Sequence, residues 1–370
     1  MTAVEFAAFV IVFCAAFITT LLLVPLMIHL GERTGIVSRA GGRRTNEGDY
    51  RRVSKLGGVA LFAGFTFAVI VAQYLNIPRF DSAEIIRVTG LLLGGMVIFV
   101  VGLLDDIYEL NPVQLGIGQI LAAGVAVFFQ IFIEAVNNPF TGEQTGWPYI
   151  ITVTLSMFWL GLMMNTVNFM DGLDGLVGGV AFIAGGMLFL NSAFVLVPAQ
   201  TSVSLLPLAL MGSSLAFVLF NFYPARVFLG GGAMYLGFVL GALAIIGGAK
   251  MATILLVMGL PLMDLAWQVA NRLRQGRNPM HGDRGHIHFR LLDLGYSQRQ
   301  IVLVYYIFCA FFGLLTLVIT SQLFKFLAFG VMVLLIGVGF AFVARLTNHG
   351  VSSASSYVMS SDTSSSSSDG

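Results

Sequence analysis

Residues 165–176 read Asn165-Thr166-Val167-Asn168-Phe169-Met170-Asp171-Gly172-Leu173-Asp174-Gly175-Leu176. Two asparagines and two aspartates recur at steps of three between two strongly apolar runs, 150–164 and 177–194. Steps of three place neighbouring members on overlapping faces of a helical turn. Gly172 and Gly175 disfavour a long regular helix and favour a helix end. Hydrocarbon penalises a carboxylate by a few kcal/mol at least, so such a cluster at the rim of membrane spans is a candidate functional site. The plainer alternative is a polar loop that only stops two helices.

Composition supports a membrane setting for the whole chain. Of 370 residues, 57% are hydrophobic and 10% charged, against roughly 25% charged in a soluble globular protein. The expected fold is all-α and polytopic. Cys14 and Cys309 both fall in apolar runs, which suggests neither a disulfide framework nor a zinc site. The first apolar run, 6–30, is too long for a signal-peptide core and reads as a retained span.

Outward from the 165–176 stretch, eleven apolar segments come near the roughly 20 residues that cross a bilayer. They lie at 5–30, 56–76, 88–104, 112–136, 148–164, 175–197, 203–221, 233–249, 251–271, 300–320 and 323–345. The third and eighth are short and the eighth is glycine-rich, so both are candidates for a broken or re-entrant helix. Loops after odd-numbered segments, with the C-terminal tail, hold 15 of the 19 lysines and arginines. The positive-inside rule then puts the N-terminus outside and the C-terminus in the cytoplasm. The polar loops 105–111, 165–174 and 222–232 fall on that cytoplasmic side together with both basic loops. A membrane domain over 1–347 is followed by a serine-rich tail, 348–370, which lacks apolar residues to bury and is expected to be disordered.

Four further stretches carry chemistry. Gly41–Lys55 holds five cations, followed by Gly57-Gly58. It sets topology and attracts anionic lipid, or it is a phosphate-binding loop. Asp105-Asp106 closes the third segment; adjacent carboxylates suit magnesium or a general base, or simply end a helix. In Asn221–Gly237, Asn221 is a candidate polar contact and Phe228 a candidate stacking face, against the alternative of a turn before a close-packed glycine-rich span. Arg272–Leu292 gathers His281, His286 and His288 with five arginines. Arginine forks match phosphate oxygens, and the same arginines would repel a zinc ion.

Together these stretches resemble the polyprenyl-phosphate N-acetylhexosamine-1-phosphate transferase family, and the resemblance runs over about residues 30–300. D-D-x-x-x-L, N-x-x-N-x-x-D-G-L-D-G-L, N-F-x-P-A-x-V-F-L-G and D-R-G-H-I-H-x-R-L-L-D-L-G occur in family order. The H-I-H form is more similar to the GlcNAc-1-phosphate branch than to the peptidoglycan translocase. The resemblance implies that undecaprenyl phosphate attacks the β-phosphorus of a UDP-N-acetylhexosamine in the cell membrane, at a site facing the cytoplasm, and releases UMP. It implies magnesium, with manganese as a substitute, and is compatible with a homodimer; no nucleic-acid partner is expected. Residue by residue, it gives Asp105, Asp106 and Asp174 catalytic roles and makes Asn168 and Asp171 metal contacts. Asn165, Asp171, Gly172, Leu173, Asn221 and Phe228 become donor-side contacts, and Arg284, His286, His288 and Arg290 the diphosphate loop.

The chain departs from the family pattern at four places. The aspartate expected after Phe228-Leu229-Gly230, a magnesium ligand in the family, is absent, and Gly231 follows directly. The early D-x-P is Ser38-Arg39-Ala40, a lysine is replaced at Leu115, and Phe289 follows His288. Losing a metal carboxylate would remove several kcal/mol of transition-state stabilisation. Two rivals follow. One is an impaired homologue that binds UDP-sugar or lipid phosphate without turnover. The other is an ion-coupled transporter, which would use Asp264 and Glu134 at mid-span.

Overall fold

The computed structural model describes residues 2–38, 52–79, 81–138, 141, 143–246, 251–276, 285–319 and 321–364. It is helical apart from one short hairpin. The helices are α1 (Ala3–Thr34), α2 (Gly57–Tyr74), α3 (Glu84–Tyr108), α4 (Pro112–Phe128), α5 (Tyr149–Met170), α6 (Leu176–Leu190), α7 (Thr201–Asn221), α8 (Gly232–Ile245), α9 (Met251–Val257), α10 (Gly259–Arg274), α11 (Ile287–Asp293), α12 (Gln298–Val318) and α13 (Gln322–Ser364). Strands β1 (Ala135–Asn137) and β2 (Gln144–Gly146) pair antiparallel between α4 and α5.

Local chemistry sets several boundaries. Asn111 and Gln114 form a reciprocal capping box, with Pro112 in the first helical turn of α4. Ser297 and Gln300 do the same for α12. Gly35 ends α1 at φ 74°, a left-handed conformation that glycine adopts without a Cβ penalty.

Among the described residues, eight helices are long and apolar enough to cross a membrane, or nine if the bent pair α9–α10 counts as one span. The chain is a multi-pass membrane protein. The two remaining apolar helices, α4 and α8, have 17 and 14 residues. At 1.5 Å per residue they reach about 26 and 21 Å, short of a hydrocarbon core of about 30 Å. The eleven apolar segments thus each correspond to a helix or helix pair, but they are not eleven equal spans. The expectation of a short third segment is corrected: α3 has 25 residues and is extended at both ends. The fourth is the short one, because its last residues enter the β1–β2 hairpin. The expected break falls in the ninth segment rather than the eighth, where α9 and α10 meet at 72°.

The core is centred on α8, every residue of which is buried. It packs against α5, α3, α2, α6 and α9. Gly237 allows this contact: a Cβ there would stand 2.5 Å from the Met163 carbonyl of α5. Trp159 Nε1 donates to the Gly241 carbonyl at 3.0 Å. Around this centre α1 packs on α2 and α7, and α12 on α6 and α9. The side chains of 347–370, which include the serine-rich tail, lie outside the described residues, as do most of the basic loop at 39–51 and the segment 277–284 with His281 and Arg284.

Candidate active site

Asp105 and Asp106 occupy the last turn of α3, half-buried. Asp106 Oδ2 accepts a hydrogen bond from the Gly231 amide at 2.6 Å. Two glycines bring these backbones together. A Cβ on Gly231 would stand 2.1 Å from the Gly102 backbone, and a Cβ on Gly230, which lies at φ +62°, would stand 2.3 Å from Asp106 Oδ2. The turn at Gly230-Gly231 thus presses directly on the end of α3. On the turn's other side Gly57 and Gly58 donate to the carbonyls of Phe228 and Leu229, each at 3.0 Å, and Phe228 donates to the Ser54 carbonyl at 2.8 Å. The space that Gly57 and Gly58 leave open is filled by the 228–232 backbone. Phe228 is buried with Val53 and Ala225.

The 165–176 stretch splits at its glycines, as its composition implies. Asn165 and Asn168 lie on the end of α5, and Asp171 is its C-cap. Asn165 and Gln119 exchange amide hydrogen bonds at 2.8 and 3.3 Å, which ties Asn165 to α4. Leu173 joins the apolar core. Asp174 is buried, and its Oδ2 accepts from the Ala225 amide at 2.9 Å. Gly175, at φ 84°, donates to Asn221 Oδ1 at 2.9 Å. Asn221, itself buried, donates onward to the Val227 carbonyl at 2.8 Å. Tyr306 of α12 donates to the Gly175 carbonyl at 2.5 Å. The 171–175 segment is thereby joined to the 221–227 turn.

Its other neighbour is the histidine loop. A Cβ on Gly172 would stand 2.6 Å from His288 Nε2 and 2.7 Å from the Phe289 ring. His286 and His288 are 4% and 1% exposed, so both lie inside the protein although their segment joins α10 to α12. Their rings stack at 5.6 Å and 13°, and Phe169 of α5 stacks on His286 at 5.5 Å. Asp264 of α10 holds them: its Oδ2 lies 2.9 Å from His286 Nδ1 and its Oδ1 accepts from the Ile287 amide at 3.0 Å. Burial pushes the His288 imidazole down to about 4, against the smaller upward pull of Asp264, so it is neutral at pH 7. Gln268 and Arg290 both donate to the Gly285 carbonyl.

Asp264 and Glu134, the two acids a transporter would use, are both engaged within the protein. Glu134 lies beside β1 and pairs with Arg87 at 3.2 Å on an exposed surface. Asp264 supports the histidines. Asp264, Gln268, Tyr306 and Gln119 are the site's contributors that motif reading misses. One signal existed for two of them: Asp264, Gln268 and Arg272 recur at steps of four, the spacing of one helical face, inside a segment counted as apolar.

Among the described residues, no three His, Cys, Asp or Glu side chains gather as a metal-holding group. Asp105 and Asp106 lie on α3, and Asp171 and Asp174 at the end of α5. Among the described residues these carboxylates form no three-acid cluster.

Residues 88–248 match the model of glycosyl transferase family 4. The chain is 27% identical over 345 residues to a Bacillus subtilis protein named "Probable undecaprenyl-phosphate N-acetylglucosaminyl 1-phosphate transferase", covering 88% of this chain and 89% of that one. It is 30% identical over 281 residues to a Mycobacterium tuberculosis decaprenyl-phosphate N-acetylglucosaminephosphotransferase, covering 68% and 69%. It is 26% identical over 304 residues to the Escherichia coli undecaprenyl-phosphate alpha-N-acetylglucosaminyl 1-phosphate transferase, covering 77% and 76%. With the motif loops joined at the ends of α3, α5 and α7 and these relatives spanning most of its length, the chain belongs to the polyprenyl-phosphate N-acetylhexosamine-1-phosphate transferase family.

Proposed function

We propose that this chain transfers GlcNAc-1-phosphate from UDP-GlcNAc to undecaprenyl phosphate and releases UMP, opening a cell-envelope polysaccharide pathway. The observation that carries this reading is the joining of the 171–175 segment to both the 221–227 turn and the histidine loop. An oxygen of the lipid phosphate forms a bond to the β-phosphorus of the donor. The bond from that phosphorus to the bridging oxygen breaks, and UMP leaves with the electron pair. A phosphate monoester has a second pKa of about 6 and is largely dianionic at neutral pH, so the nucleophile needs little help from a base. The chain's task is then positioning and charge neutralisation. Arg290 supplies a charged donor toward the diphosphate, His286 and His288 lie on the same loop, and Arg284, outside the described residues, belongs to it as well.

The reading includes a magnesium requirement, with manganese as substitute, assigned by resemblance to Asn168, Asp171 and the Asp105-Asp106 pair. It also includes eleven membrane segments with an outside N-terminus, a cytoplasm-facing site in the cell membrane, a transferase domain over 1–347 followed by the serine-rich tail, and a homodimer, which cross-linking in native membranes would test. Reconstituted protein given magnesium, undecaprenyl phosphate and radiolabelled UDP-GlcNAc is expected to release UMP and label the lipid, and Asp174→Asn to abolish labelling. Absence of labelled lipid with every UDP-N-acetylhexosamine would sink the transferase reading.

A second reading has a specific observation behind it. Asp106 is engaged by the Gly231 amide, at the place where the family carries a further aspartate. An impaired homologue would bind UDP-sugar without turnover. Inserting Asp between Gly230 and Gly231 would then raise magnesium-dependent turnover; no rise would mean that another group already does that task.

A further inference from the structure

Asp264 sits 5% exposed in α10, six residues beyond the bend that separates this helix from α9. A buried carboxylate needs partners for both oxygens. One oxygen receives the Ile287 amide and the other faces His286 Nδ1. The same Oδ2 lies 3.8 Å from His288 Nδ1, too far for a hydrogen bond but close enough to act on its charge. The Nε2 atoms of His286 and His288 are buried and have no hydrogen-bond partner among the described residues. The His288 Nε2 lies against the Cα of Gly172, at the Asp171-Gly172-Leu173-Asp174 turn. A buried polar atom without a partner stands out, because nearly all such atoms are paired.

We propose that Asp264 is a positioning residue for the transfer step. Its carboxylate accepts the Nδ1–H of His286 and seats the first turn of α11, so that Nε2 of His286 carries no proton and stands as an acceptor for a hydroxyl or amide N–H of the UDP-sugar, while His288 packs on Gly172. The assignment rests on the transferase reading above and adds the group that orients its histidines. An ionised carboxylate only accepts, so its contact with Nδ1 fixes which ring nitrogen carries the proton. Gln268, one turn further along α10, holds Gly285 from the same face. The histidine segment is therefore attached to the broken α9–α10 pair at two points.

Asp264→Asn tests this sharply. Asparagine has one acceptor oxygen. The Ile287 amide requires it, so the NH₂ group turns toward His286 Nδ1 and forces the opposite tautomer. Two-bond ¹H–¹⁵N spectra of histidine-labelled full-length protein in nanodiscs, assigned with His286→Gln and His288→Gln, read this directly. The expected result is an Nδ1–H tautomer for His286 in the wild type and in Asp264→Glu, and an Nε2–H tautomer in Asp264→Asn. In the transfer assay kcat is expected to fall about 30-fold in Asp264→Asn, as when a residue orienting a functional histidine is lost. The KM for UDP-GlcNAc should move much less, Asp264→Glu should recover part of the rate, and Asp264→Asn combined with His286→Gln should lose no more than His286→Gln alone. An unchanged tautomer, or additive losses in the double variant, overturns the proposal. If wild-type protein turns over no UDP-sugar, the transferase reading fails, and the tautomer spectra alone decide whether Asp264 fixes the ring.

Discussion

Two regions around the 171–175 segment, the glycine turn it reaches through Asn221 and the histidine loop, are built on opposite terms. The turn at 227–232 is backbone against backbone, with Gly57, Gly58, Gly102 and Gly231 removing the side chains that would hold the chains apart. The histidine side is polar side chain against polar side chain, with Asp264, His286, His288 and Gln268 all buried. The first arrangement depends on volume and barely on protonation. The second depends on which atoms carry protons. Changes in volume should therefore break one and changes in pH the other, with Asn221 as the link between the 175 turn and the glycine turn.

Gly231→Val should have the largest effect. Its Cβ would overlap the Gly102 backbone, which has no rotamer to yield, so the penalty should reach at least about 3 kcal/mol, the upper end for overpacking. The expected outcome is loss of monodisperse protein after detergent extraction; wild-type yield and thermal midpoint would show that the turn slides freely. Asn221→Ala comes next. It strands the buried Gly175 amide and Val227 carbonyl, and two orphaned groups should together cost about 4 kcal/mol. Denaturant titration in detergent would measure this, and a loss under about 1 kcal/mol would mean that water replaces the amide.

The third prediction moves to the other side of the comparison. His288 has its proton affinity lowered from 6.5 to about 4 in the fold. Between those values the unfolded chain takes up a proton that the folded chain refuses, so stability falls as pH falls through the window. The difference between pH 7 and pH 5 should be about 2 kcal/mol. Thermal midpoints across that range should drop for the wild type and flatten in His288→Gln; parallel slopes would remove His288 as the cause. The smallest effect is expected for a chain ending at residue 347. Transfer activity and midpoint should match the full chain, and a loss beyond about twofold, roughly 0.4 kcal/mol, would give the serine-rich tail a role.

Much of this was legible from residue order, and the failures have physical causes. The all-helical, multi-pass character and the split of 165–176 at its glycines follow from runs of apolar side chains and from local backbone preferences. Both are properties of neighbours in sequence. The partners of Gly57 and Gly58 lie at Phe228 and Leu229, and nothing in the spacing of either segment encodes that meeting. The role of Asp264 is hidden in the sequence for a different reason. Hydropathy averages over a window, so a polar face at steps of four disappears into an apolar segment. The bend after Val257 then carries that face away from the direction of α9 and under the histidines. For Phe228 the sequence leaves stacking and packing both open, because an aromatic residue beside glycine suits either; in the structure its ring is buried with Val53 and Ala225.

Helix α8 has a consequence for how the protein is made. It is 14 residues long and buried along its whole length, so its final surroundings contain no lipid. A helix this short is a poor substrate for stepwise insertion into a bilayer. It has to be accepted by protein, into a slot already lined by α2, α3 and α5, all of which precede it in the chain. The order of synthesis and the order of assembly therefore agree. The glycine turn that closes on Asp106 runs straight into this helix, so a change that unseats α8 also shifts the turn against Asp106.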